Sequence, residues 1–123
     1  MAIERLRALT IWVNDVDAAV DFYVDKLGLE KTADKRYGEK GRWVTVAPAG
    51  SDGPQISLSP AGYGGEPGGF TGFVLETSDV EATYEELKAR GVNFTSEVKT
   101  NTVGATMVDF EDPDGNGFRL HSS

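Results

Sequence analysis

Two segments of the chain repeat one another. "DVDAAVDFYVDKLGL", from Asp15, and "DVEATYEELKARGV", from Asp79, each open with Asp-Val-Asp/Glu-Ala and close on Gly followed by an apolar residue. In each, the leading Asp suits a helix N-cap and the acid two places later suits the positive end of the helix dipole. Gly28 and Gly91 suit the left-handed residue that ends a helix. Val16, Ala19, Val20, Tyr23 and Leu27 recur at helical spacing, as do Val80, Tyr84, Leu87 and Val92, so both segments predict amphipathic helices.

Each predicted helix is preceded by a strand-like run, "LTIWV" or "GFVLET". After the first come "LEKTADKRY", "RWVTVA" and "QISLS"; after the second, "NFTSEVKT", "TMVDF" and "GFRLH". The pattern predicts an α+β fold of two βαβββ modules, residues 1–61 and 70–123, joined by a Gly/Pro-rich linker over 62–69. At 123 residues the chain can bury a core without staples, and it has no cysteine to make any. That excludes thiol catalysis and Cys-based metal sites.

Charge and hydropathy narrow the function classes. A net charge of −8 opposes nucleic acid and anionic lipid, and no apolar run reaches membrane-spanning length. The locally basic stretch Lys31, Lys35, Arg36, Lys40, Arg42 is interrupted by Asp34 and Glu39, which predicts a solvated hairpin face. The chain is therefore expected to be soluble and cytoplasmic, with neither a nucleic-acid nor a membrane partner. "DPDGNG" places Asp112, Asp114 and Asn116 as a calcium loop would, but the twelfth position is Ser123 where that loop needs a bidentate Glu. A tight turn between two strands is expected instead.

Strand alternation sorts the side chains into two faces. Leu9, Ile11, Val13, Ile56, Leu58, Phe73, Leu75, Phe118 and Leu120 form the apolar set. Ala8, Thr10 and Trp12, then Gln55, Ser57 and Ser59, then Gly72, Val74 and Glu76, then Arg119 and His121 share the opposite face. A curved sheet with helices outside would gather the second set into a concave cup suited to a small molecule. Trp12 and Trp43 are candidate ligand-stacking walls there, with Ser57 and the charged Glu76, Asp109, Arg119 and His121 as polar contacts. The "GYGGEPGG" run is expected to form a rim, with Tyr63 and Phe70 available to close over a ligand.

"VNDVDAAVDFYVDKLGL", "TSDVEATYEELKARGV" and "EDPDGNGFRL", in that order, resemble the vicinal oxygen chelate superfamily of glyoxalases, extradiol dioxygenases and bleomycin-binding proteins. The resemblance implies paired βαβββ modules in a cupped mixed sheet, completed as a homodimer. It also implies one metal ligand, a His, Gln or Glu, on each of four strands. Carried over by motif, those positions fall on Ala8, Ser57, Gly72 and Arg119. Two have no donor atom and one is a permanent cation, so the expectation is a protein without metal or other cofactor. Such a protein would bind a small aromatic or anionic molecule. The alternative is a lyase, isomerase or dioxygenase-like enzyme using Arg119, His121, Glu76 or Asp109 in acid–base chemistry, or a metal held at a non-standard place.

Overall fold

A computed structural model describes residues 2–39 and 41–123. The chain divides into two compact units, one ending at Pro67 and the other starting at Gly68. The first contains β1 (Ala8–Val13), α1 (Val16–Asp21), β2 (Glu30–Tyr37), β3 (Gly41–Ala47) and β4 (Gln55–Pro60). Its four strands lie in the order β1-β4-β3-β2, with β1 parallel to β4 and the other pairs antiparallel. The second contains β5 (Gly69–Glu76), α2 (Val80–Ala89), the short β6 (Asn93–Phe94) and β7 (Lys99–Thr100), β8 (Thr106–Glu111) and β9 (Asn116–Ser122). Here β5 runs parallel to β9, β9 pairs with β8, and β8 carries both β6 and β7 on its far side.

The helix starts form as their sequences predict. Asp15 Oδ1 accepts from Ala18 N at 3.1 Å, and Asp79 Oδ1 accepts from Ala82 N at 3.0 Å. Each bond satisfies one of the donors left open at a helix N-terminus. Gly28 (φ 78°) and Gly91 (φ 89°) follow the two helices in the left-handed region.

Two departures from regular periodicity shape the units. Beyond Asp21 the first helix widens into a π-helical turn, Phe22–Lys26, with Leu27 N donating to Phe22 O. Phe22 and Tyr23 both bury, in helical phase with Ala19 three and four residues earlier. Their rings meet edge to face at 5.1 Å. In the second unit the run "NFTSEVKT" does not form one strand. Ser96 Oγ accepts from Asp109 N, replacing a ladder bond and splitting the run into β6 and β7.

Burial alternates along β1 and β9, while β3 and β4 are buried on both faces around Thr45 and Ser57. The core of the first unit is mainly aliphatic: Ile11, Val13, Val44, Val46, Ile56 and Leu58 pack beside Phe22 and Tyr23. The second is built on rings. Phe118 contacts Phe73 and stacks on Phe110 at 5.4 Å, Phe110 meets Phe94, and Phe94 meets Tyr84 of α2. Among the described residues no helix is long and apolar enough to cross a membrane.

Candidate functional site

On the first sheet, the face away from α1 carries Ala8, Thr10 and Trp12 of β1, Gln55, Ser57 and Ser59 of β4, and Trp43 and Thr45 of β3. The register pairs Ala8 with Gln55, Thr10 with Ser57 and Thr45 with Ser57, which fixes this grouping. A cavity of about 380 Å³ opens on this unit. Arg5, Arg7, Ala8, Trp43 and Asp52 line it, together with Thr32, Thr45 and Gln55. Its size lies within the range of small-molecule sites.

The cavity's polar wall depends on an irregularity in β2. The register between β2 and β3 slips between Lys31 and Ala33, so Thr32 occupies a bulge and leaves the simple alternation of the strand. Its hydroxyl meets Thr45 Oγ1 at 2.7 Å and also donates to Gln55 Oε1. Thr45 and Ser57 are buried, and Ser57 Oγ has no hydrogen-bond partner among the described residues.

Of the aromatic residues singled out from the sequence, Trp43 lines the cavity. Trp12 does not: the backbone of Gly64 and Gly65 lies against its indole, and a Cβ at Gly65 would collide with Trp12 Nε1. The glycine run therefore seats on Trp12, a close approach only glycine permits. Tyr63, in the same run, is exposed.

The charged candidates lie on the second unit and are brought together in two separate pairs. Arg119 donates from Nε to Asp109 Oδ1 at 2.8 Å and from Nη2 to Asp109 Oδ2 at 3.2 Å, a two-pronged pair across the β8–β9 ladder. The Asp109 hydrogen bond and charge raise the guanidinium's pKa above its ordinary value. Its Cζ lies 5.5 Å from the Phe70 ring centroid. Glu76 takes no part in this pair. It meets His121 Nδ1 at 3.1 Å, the two being register partners in β5 and β9. The same sheet leaves Phe70 and Val74 each 57% exposed.

Other charged residues seen in the sequence have structural roles. Arg42 grips Asp34 from Nε and Nη2, at 3.0 and 2.9 Å, and reaches Asp17 at the start of α1 at 2.6 Å. Lys31 adds a contact to Asp34 at 3.0 Å. Hydrogen bonds from Arg42 and then Lys31 hold the Asp34 carboxyl well below its ordinary value, while Asp34 and then Asp17 raise Arg42. The basic stretch is thus partly neutralised on its own β2–β3 hairpin; Lys40 lies outside the described residues.

The turn "DPDGNG" spends its acid internally. Asp112 and Asn116 are each 3% exposed. Asp112 Oδ1 accepts from the backbone N–H groups of Asp114 and Asn116, and Oδ2 accepts from Asn116 Nδ2, all at 2.9 Å. Asn116 Oδ1 in turn accepts from Gly68 N at 2.8 Å.

The four positions at which the resemblance implies metal ligands do not fit a divalent cation. Ala8 has no donor, Ser57 offers one buried hydroxyl, and Arg119 is a cation already bound to Asp109. Gly72 departs further still. It sits where the β5–β9 register slips between Phe70 and Phe73, at φ 78°, so its backbone is one that a histidine or glutamate rarely adopts. Among the described residues no three His, Cys, Asp or Glu side chains cluster as a metal site would require.

Comparison with known proteins accords with this architecture. The family model of the Glyoxalase/Bleomycin resistance protein/Dioxygenase superfamily matches residues 5–120. The uncharacterized protein YetH of Bacillus subtilis (strain 168) is 32% identical over 118 residues, covering 96% of this chain and 98% of YetH. The crystal structure of a member of the same superfamily from Sphaerobacter thermophilus DSM 20745 superposes with a TM-score of 0.90 at 39% identity, covering 98% of each chain. That of TnmS3, an antibiotic binding protein from Streptomyces sp. CB03234, gives 0.85 at 36% identity, covering 99% of this chain and 98% of that one. The repeated helix segments, the matching strand orders and these likenesses together place the chain in the glyoxalase/bleomycin resistance protein/dioxygenase superfamily.

Proposed function

We propose that this protein binds a small aromatic or anionic molecule without a metal, in the cavity on the first sheet, and does not transform it. The observation that carries the reading is the cavity itself: an indole, two arginines and a carboxamide line one concavity of about 380 Å³. The likeness to an antibiotic binding protein supports it, and an antibiotic-like aromatic compound is a fitting ligand. Acid–base catalysis by Arg119, Asp109, Glu76 or His121 is less well supported, because each of these groups is engaged by another of them.

The deciding experiment is a thermal-shift and fluorescence screen of aromatic acids beside Zn²⁺, Ni²⁺, Mn²⁺ and Fe²⁺. A ligand of the native state raises the melting temperature by mass action. The expected result is a shift with an aromatic acid that is recovered unchanged, and none with the metals. Elemental analysis near one transition-metal ion per chain, with a metal-induced shift, would overturn the metal-free part. Consumption of the compound would overturn the binding-only part. The protein is further proposed to work as a homodimer, since Phe70 and Val74 leave apolar surface on the second sheet open to a partner. Sedimentation at micromolar concentration as a monomer would refute that.

A further inference from the structure

The hydroxyls along the cavity wall form a chain with a direction. Thr32 Oγ1 is in contact with both Thr45 Oγ1 and Gln55 Oε1. A carboxamide oxygen only accepts and a hydroxyl has one proton, so the Thr32 proton is committed to Gln55. The Thr45 proton must then be the one bridging to Thr32. The relay runs from Thr45 through Thr32 to Gln55, across three adjacent strands, and the β2 bulge makes the last step reachable. It ends on a carboxamide whose oxygen is occupied and whose two side-chain N–H bonds have no partner among the described residues.

Apart from Asp52, the other charged and indole groups along the cavity are donors too. Arg5 and Arg7 line it and have no ion-pair partner among the described residues, in a chain of net charge −8. A guanidinium and an indole N–H donate and cannot accept. Asp52 is the one carboxylate among the lining residues. A wall of donors leaves its own hydrogen bonds unmet unless the ligand brings acceptors, and unmet donors in a desolvated site cost affinity.

We propose that the cavity selects aromatic molecules bearing a carboxylate or conjugated carbonyl oxygen, which accepts from Gln55 Nε2 while the ring lies against Trp43. Thr32 and Thr45 are positioning residues that hold the carboxamide with its N–H groups outward. This rests on the reading of the cavity as the ligand site and adds the chemistry that site demands. A reversed carboxamide would present its oxygen and select donors instead, so the two orientations predict opposite preferences.

The test uses three naphthalenes of one shape: 2-naphthoate, 2-acetylnaphthalene and 2-naphthylmethylamine, titrated by tryptophan quenching. The acid and the ketone are each expected to bind about tenfold or more tighter than the amine. The ketone separates the Gln55 hydrogen bond from arginine charge. Gln55→Glu should weaken the acid and strengthen the amine. Thr32→Val, which frees the carboxamide to rotate, should narrow the ketone-to-amine ratio. Circular dichroism and melting temperature check that both variants fold; if Gln55→Glu does not, Gln55→Leu should abolish the ketone preference. Equal binding of all three probes, a preference for the amine, or ratios unmoved in folded variants would overturn the proposal while leaving the ligand site intact. Failure of every probe to bind would overturn the ligand site itself.

Discussion

The two sheets share one connection pattern, with the first strand parallel to the last, and differ in how their polar side chains are satisfied. On the second sheet the charges answer one another: Arg119 with Asp109, His121 with Glu76. On the first, the donors along the cavity stay open at Arg5, Arg7, Trp43 and Gln55. The cores diverge in parallel, aliphatic in one and ring on ring in the other. Repeating a fold therefore does not repeat its chemistry. What a scaffold can bind is set by which of its polar groups are left for a guest once the internal pairs are made.

That contrast can be broken at several points. Phe118→Ala should remove the centre of the ring cluster and cost about 3–5 kcal/mol, and Leu58→Ala on the first sheet about 2–5 kcal/mol. Urea denaturation measures both, and a loss below about 1 kcal/mol for Phe118→Ala would mean that the rings do not anchor their core. Asp112→Ala should cost about 3 kcal/mol, because it strands buried donors that the carboxylate now satisfies. Calcium should leave the melting temperature of the unmodified protein unchanged; a rise would show that the turn takes a cation after all. Trp43→Ala should weaken 2-naphthoate about tenfold, whereas Arg119→Ala should change it less than about twofold. Calorimetry showing equal losses would erase the division of labour between the sheets. The smallest effect concerns the hairpin. Asp34 titrates below its ordinary value of 3.8 because Arg42 and Lys31 stabilise its anion. A depressed carboxyl adds stability above the unfolded value and loses it as pH falls through and below that value. Wild type should thus melt above Asp34→Asn at neutral pH, with the gap closing in acid; a pH-independent gap would point to packing rather than charge.

Much of the architecture was legible because it rests on periodicity and local chemistry. The helices announced themselves by Asp caps and terminal glycines, and the two faces of β1, β4 and β9 by strict alternation. The site was legible only in part. Trp43, expected to line a concave wall, lines the cavity, and so does Gln55, which was assigned to the same face without being singled out. Arg5 and Arg7 precede the first strand, where no period speaks for them. Thr32 reaches the wall through a bulge, which breaks the alternation that sequence reasoning depends on. The partners of Trp12 and Glu76 were hidden for another reason: Gly65 and His121 are contacts of tertiary structure, not of spacing. One signal was available for Gln55. It lies two residues before Ser57 on one strand, so any cup containing Ser57 had to present Gln55 as well.

The seating of Gly64 and Gly65 on Trp12 has a spectroscopic consequence. The chain has two tryptophans, and they occupy unlike surroundings: one under a glycine run, the other in the cavity wall. Intrinsic emission is therefore a two-channel signal. With Trp43→Phe the remaining light reports on whether the glycine segment stays docked. With Trp12→Phe it reports on what enters the cavity. The pair of variants would time the two events separately, and so tell whether the glycine segment moves before a guest arrives, after it, or not at all.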